Sequence, residues 1–231
     1  TLRNVYARWT KAYLKNVDMF ACITEFQKKK LIEAGYDKNK ITVIPNSIDA
    51  PCSYTPTTGG YIAYIGRLSY EKGYDLLVEV ARKHPEIKFR FAGAQREQKN
   101  TDIPSNVEFA GYLQKDKLLE FIQKARFIVI PSRCYEGFPM AILEAACHGK
   151  PAIAPNHRGF TEIIGQGENA IGKLFEPGNT DDLDKQIAEL WNNQTLTEEL
   201  GEKAFRKLKK HYDSEVVYKQ WETLFSKLKN S

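Results

Sequence analysis

Two short segments carry residue types that could act on an anionic, hydroxyl-bearing ligand. The first is Gly66-Arg67-Leu68-Ser69-Tyr70-Glu71-Lys72-Gly73, which follows an apolar run at 61–65. Gly66 permits a tight turn. Arg67 and Lys72 then place two cations on one short loop, which suits a diphosphate needing charge neutralisation and donors along its oxygens. Solvation of one or both cations accounts for the same residues equally well. The second segment is Pro131-Ser132-Arg133-Cys134-Tyr135-Glu136-Gly137-Phe138-Pro139-Met140-Ala141-Ile142-Leu143-Glu144. Gly137 can adopt a loop conformation, and Pro139 suits the first turn of a helix running on through Met140 and Leu143. The unpaired N–H groups and positive dipole end of such a helix form an anion site. Glu136 stands at its mouth and Glu144 two turns along it, about 12 Å away and close to the same face. Carboxylates repel phosphate but accept hydrogen bonds from hydroxyls. A diphosphate flanked by two hydroxyl-bearing rings, the shape of a sugar nucleotide, fits this layout. A helix-end carboxylate plus an exposed Glu would explain it without any ligand.

Positioning these segments requires strands that end just before them. Runs rich in β-branched and aromatic residues occur at 61–65, 88–92, 107–109, 127–130 and 152–154, with helical patterns at 75–83, 115–124 and 140–148. Strands alternating with helices predict a parallel sheet covered on both faces, and the unbroken apolar run Phe127-Ile128-Val129-Ile130 predicts a central strand. Ligands of such sheets bind beyond the carboxyl ends of the strands, where both segments lie. Before them come an amphipathic basic helix over 2–17, a strand at 19–23, a capping box at Thr24-Glu25-Phe26-Gln27, a strand at 41–44 and a linker at 50–60. After residue 179 the pattern is helical: 181–192, 198–212 and 214–229.

Composition narrows the function classes. The 231 residues are 42% hydrophobic, enough for one large domain or one and a half smaller ones, and no apolar run nears the roughly 20 residues of a membrane span. The net charge of +5 is spread among acidic residues. The basic stretches at 28–30 and 206–210 lack the interleaved aromatics that would stack on bases, which argues against nucleic acid. Their plainer reading is a solvated helix face, and the alternative is attraction to anionic lipid or substrate. Cys22, Cys52, Cys134 and Cys147 have no metal or redox spacing, and the four histidines form no pair on a helix, so no metal is expected. Asp182-Leu183-Asp184 matches a metal-binding Asp-x-Asp formally, but it opens a helix where acidic residues suit the dipole.

In this order, the segments resemble the family 4 (group 1) retaining glycosyltransferases of GT-B fold. The resemblance rests on Val43-Ile44-Pro45-Asn46-Ser47-Ile48-Asp49, Gly66-Arg67-Leu68 with Lys72-Gly73, Glu136 and Glu144 about Gly137-Phe138-Pro139, the stretch 145–151, and Leu174-Phe175-Glu176-Pro177-Gly178-Asn179. It covers about residues 18–212. It implies a Rossmann-like donor-binding domain over 51–212, preceded by the last part of the N-terminal, acceptor-side domain at 1–50. A final helix at 213–231 would pack back toward that domain.

By the same resemblance, the catalytic residues are Arg67, Lys72 and Glu136. Arg67 and Lys72 would bind the diphosphate and stabilise its departing charge, and Glu136 would contact the sugar hydroxyls. Gly66 and the main chain of Gly137, Phe138, Pro139 and Met140 would bind donor. Glu144 would hold the ribose, and main chain near Leu113 would meet the base. The donor that the resemblance implies is a UDP-sugar or GDP-sugar, with no metal or other cofactor. A lipid-linked or saccharide acceptor would be held by the rest of a longer protein, with peripheral contact at the cytoplasmic face of the membrane and a role in glycolipid or surface polysaccharide synthesis. The chain alone is then expected to turn over poorly. Many relatives have a Gly-Gly pair in the loop after Ala154, whereas Asn156-His157-Arg158-Gly159-Phe160-Thr161-Glu162 keeps one Gly, so no role is assigned to Glu162. Other readings are a sugar-nucleotide epimerase, against which the two spaced glutamates argue, a non-catalytic sugar-nucleotide-binding module, or one subunit of a two-chain enzyme.

Overall fold

The computed structural model describes residues 10, 14, 16–51, 59–95 and 102–229. The helix expected at 2–17 lies almost wholly outside these residues, as do Cys52 and most of the expected linker. Two parallel sheets are present among the described residues. The smaller pairs β1 (Phe20–Cys22) with β2 (Ile41–Val43), with α1 (Glu25–Glu33) between them. The Thr24 side chain caps α1 by accepting from the Gln27 backbone N–H, as the capping box predicts. The Gln27 side chain departs from it, accepting from the Ile23 N–H at 3.1 Å rather than reaching back to Thr24.

The larger sheet has six parallel strands: β3 (Ile62–Ile65), β4 (Phe89–Ala92), β5 (Val107–Gly111), β6 (Phe127–Val129), β7 (Ala152–Pro155) and β8 (Gly172–Phe175). Their spatial order is β5-β4-β3-β6-β7-β8, so the winding reverses between β3 and β6. The connecting helices are α2 (Tyr74–Lys83), α3 (Lys115–Gln123), α4 (Met140–Cys147) and α5 (Arg158–Ile164), and then α6 (Thr180–Asn192), α7 (Gln194–His211) and α8 (Ser214–Lys229) close the chain.

The sheet is covered on both faces. Ala63, Ile128, Ala152 and Ala154 face one core, with Ile142, Leu143 and Phe160 packed on them. Ile62, Tyr64, Phe127 and Val129 face the other, with Leu77, Phe91 and Ile187. Phe127, Ile128 and Val129 are all fully buried, as a central parallel strand requires, and each side chain contributes about 1.5–3 kcal/mol by leaving water. The Rossmann-like α/β architecture expected from the sequence is therefore the one observed. Strand β8 and helix α5 were not expected as elements, and α7 begins four residues earlier than the pattern suggested, because the Asn193 side chain accepts from the Leu196 N–H and caps it there. Among the described residues, no helix is long and apolar enough to cross a membrane.

Candidate functional site

The site forms where β3 and β6 lie side by side, at the reversal of winding. The loop after β3 carries Gly66, Arg67 and Lys72, and the loop after β6 carries Glu136 through Pro139. Backbone bonds tie the loops together: the Arg133 and Cys134 N–H groups both donate to the Glu71 carbonyl, at 2.9 and 3.3 Å. Arg133 reinforces the join with a two-pronged pair to Asp75, at 2.6 and 2.7 Å, and its guanidinium lies 4.0 Å from the centre of the Tyr70 ring. Gly73 is required for this approach. Its φ is +71°, and a Cβ there would stand 1.8 Å from the Pro131 carbonyl oxygen.

Between the loops opens a cleft of about 180 Å³ lined by Tyr64, Gly66, Lys72, Glu136, Phe138, Pro139 and Met140. Helix α4 starts at Met140 with no side-chain cap and no acidic residue in its first turn, so its leading N–H groups and positive dipole end open into the cleft. Pro139 occupies the cap position rather than the first helical position, one residue earlier than its preference suggests.

Within the cleft, two of the expected site residues meet each other. Lys72 and Glu136, read from sequence as separate contacts for diphosphate and sugar, form an ion pair with each other, at 19% and 22% side-chain exposure. The Glu136 carboxylate also lies 3.4 Å from the buried Ser132 hydroxyl. Arg67 is likewise occupied, its guanidinium 2.6 Å from Glu71. Each cation is thus paired with a neighbouring carboxylate. Tyr64, under the β3 loop, donates to the Arg67 carbonyl at 2.6 Å, and burial pushes its phenol well above the ordinary tyrosine range.

Glu144 and Leu113 do not line this cleft. Glu144 sits half-buried about one turn down α4, and burial holds its carboxyl above the usual carboxylate range. It makes no hydrogen bond or ion pair with another described residue. The nearby Cys147 thiol is pushed up to about 11, chiefly by burial and then by the charges of Glu144, Asp213 and Asp49. Leu113, beyond β5, packs on the same core face as Phe138 and Met140. A wider groove of about 690 Å³ adjoins the cleft at Met140, running between Ile23, Ile44 and Pro45 on one side and Val217, Tyr218 and Trp221 of α8 on the other. Among the described residues, no group of three or more His, Cys, Asp or Glu could hold a metal ion.

Sequence reasoning passed over Ser132, Arg133 and Asp75, although Arg133 lies within the segment it singled out. It named Glu162 but assigned it no role. That residue stands on α5, and its two carboxylate oxygens accept from the Glu25 and Phe26 N–H groups at the start of α1, at 2.9 and 3.2 Å. No local pattern could announce a contact spanning 137 residues.

A doubly wound sheet that opens an uncapped helix end and paired cations and carboxylates at its switch point is the architecture of a Rossmann-like, anion-receptive α/β domain. The chain belongs to the group 1 glycosyl transferases, whose family model matches residues 53–207, and a glycosyltransferase family 4 model matches residues 1–50. It is 32% identical over 193 residues to an uncharacterized glycosyltransferase of Methanocaldococcus jannaschii, covering 81% of this chain and 53% of that protein. It is 28% identical over 222 residues to the poly(ribitol-phosphate) alpha-N-acetylglucosaminyltransferase of Staphylococcus aureus, covering 88% of this chain and 43% of that protein. The chain thus spans about half the length of these relatives. Among solved structures, S. aureus TarM in complex with fondaparinux, alpha-GlcNAc-glycerol and UDP matches with a TM-score of 0.76 at 25% identity, over 92% of this chain and 44% of that one. A Rickettsia africae glycosyltransferase shares the fold, with a TM-score of 0.82 at 21% identity, over 97% of this chain and 68% of that one.

Proposed function

We propose that this chain is the donor-binding portion of a retaining hexosyltransferase that takes its sugar from a nucleoside diphosphate. The observation that carries this reading is the convergence of the open α4 N-terminus, Lys72 and Glu136 on one cleft at the switch point. The donor diphosphate lies on the leading N–H groups of α4 and draws Arg67 and Lys72 onto its oxygens. Glu136, released from Lys72, accepts from hydroxyls of the transferred sugar. As the glycosidic bond to the diphosphate breaks, negative charge grows on the leaving oxygens, and the two cations and the helix dipole stabilise it in place. No metal takes part in this scheme. The half-buried Glu144 carboxylate accepts from the ribose hydroxyls, and main chain at Leu113 meets the base.

The TarM complex with UDP supports a uridine donor. The poly(ribitol-phosphate) relative supports a polymeric acceptor; in this reading the acceptor belongs to surface polysaccharide or glycolipid assembly, is bound with the help of a longer chain and is met at the cytoplasmic face of the membrane. Residues 1–50 then close an acceptor-side domain, 51–212 form the donor domain, and 213–231 return toward the former. Calorimetric titration with UDP, GDP and ADP tests this, repeated on Glu144→Ala. One nucleotide should bind saturably and lose about tenfold in affinity in the variant, the size expected for a lost hydrogen bond to a charged group. Binding of none of the three would overturn it.

A further inference from the structure

Helix α5 touches both the N-terminal segment and the loop that carries Glu136. It is anchored in the core by Phe160, Ile163 and Ile164, each no more than 1% exposed. At its start, Gly159 abuts the loop so closely that a Cβ there would lie 3.0 Å from the Glu136 carbonyl oxygen. One turn on, the Glu162 carboxylate grips the first two N–H groups of α1, at 2.9 and 3.2 Å, and no residue on α1 itself serves those donors. The Thr24 cap occupies the Gln27 N–H instead. The triangle is closed by Gln27: its amide Oε1 accepts from Ile23, and its Nε2 lies 3.3 Å from where a Cβ on Gly137 would stand. Three elements far apart in sequence thus meet at one junction, and two of them carry charge-assisted or tight backbone contacts to the third.

We infer that Glu162 is a positioning residue that couples the segment before residue 50 to the Glu136–Phe138 loop through α5. The two family models meet between residues 50 and 53, so this contact crosses from one matched region to the other. A carboxylate on a helix N-terminus is favoured by both the N–H groups and the dipole. Because Glu162 and its donors are solvent-exposed, water can replace each partner, so the contact can open and close without leaving a buried group unpaired. Glu162 does not line the cleft, so it acts on the ligand only through loop geometry. The effect on ligand rests on the donor-site reading above, whereas the coupling between segment and loop does not.

Amide NMR of the 231-residue chain tests this with Glu162→Ala, Glu162→Gln and Gln27→Ala, alongside nucleotide titration. In Glu162→Ala, the Glu25 and Phe26 amides should exchange on the order of tenfold faster, and the Gly137 and Phe138 resonances should move with them, while those of β6 stay fixed. Affinity for the nucleotide that wild type binds should fall about three- to tenfold, with Glu162→Gln intermediate, since it keeps one acceptor oxygen. Gln27→Ala should reproduce the affinity loss while leaving Glu25 and Phe26 protected. Faster exchange confined to Glu25 and Phe26, with Gly137, Phe138 and affinity unchanged, would reduce Glu162 to a helix cap and overturn the inference. If wild type binds no nucleotide, the donor reading fails, and the Gly137 and Phe138 resonances in Glu162→Ala decide the coupling alone. Glu162→Gln supplies the same comparison if the alanine variant does not fold.

Discussion

The Lys72–Glu136 pair is the most informative contact at the residue scale, because two groups proposed to bind different parts of one ligand hold each other instead. Replacing Lys72 with Met leaves a largely buried carboxylate beside a serine and little else, which should cost about 1–3 kcal/mol of stability in urea denaturation. The double variant Lys72→Met with Glu136→Gln removes both charges and should recover most of that loss while still failing to bind nucleotide. Recovery of binding along with stability would show that neither side chain meets the ligand. Glu144 offers a pH test. Its carboxyl is raised by burial, so the folded chain holds that proton more tightly than the unfolded one. Stability therefore falls as pH rises from the ordinary glutamate value through the folded value, then levels off. Glu144→Gln should remove this fall. Thermal melting should show the variant gaining on wild type between acid and neutral pH, and parallel curves would rule the buried charge out as the cause. Of these features, the identity of the charged residues was legible in the sequence. Their mutual pairing was not, since it depends on how two loops fold over one another to join residues 64 positions apart.

Legibility among the elements followed local pattern strength. Strand β6 and helix α4 announce themselves by an unbroken apolar run and by a glycine–proline entry into a small-residue helix. Strand β8 does not: it opens on Gly172 and places Lys173 in its middle, and its pairing with β7 rests on a close backbone approach. A Cβ at Gly172 would stand 2.1 Å from the Ala152 carbonyl oxygen. Helix α5 is seven residues long, has no side-chain cap and holds a glycine at its second position, so its period never builds up. Yet α5 carries Glu162, whose carboxylate holds the start of α1. The turn between β3 and α2 makes a strict demand on sequence. Gly73→Ala combines an unfavourable φ with a Cβ driven into the Pro131 carbonyl, and should cost at least about 2 kcal/mol. It should also separate the two loops, so calorimetry on any folded fraction should find nucleotide affinity lost. Unchanged stability would mean that the loops can part without disturbing the fold.

Across the whole molecule, the two cores and the strand order follow from alternating strand and helix patterns, but the terminal helix does not share their support. Of α8, Val217 is buried, and backbone bonds hold its start: the Ile48 N–H donates to the Tyr212 carbonyl at 3.0 Å, and the Ser214 N–H donates to the Ile48 carbonyl at 3.2 Å. Farther along, Tyr218 and Phe225 are 64% and 62% exposed, and Phe225 stacks on Trp221 with ring centres 5.7 Å apart. These side chains recur at helical spacing on one stripe, and the 690 Å³ groove lies beside it. A helix gains most of its stability from burying such a stripe, so the part of α8 beyond Trp221 should be poorly protected. Hydrogen exchange should find its amides opening many-fold faster than those of α7, where Leu200, Ala204 and Leu208 are buried. Phe225→Ser should leave overall stability within about 0.5 kcal/mol, as an exposed substitution does. Protection of α8 equal to that of α7 and falling on dilution would mean that a second copy of the chain covers the stripe, whereas equal protection at every concentration would mean that the stripe needs no partner at all.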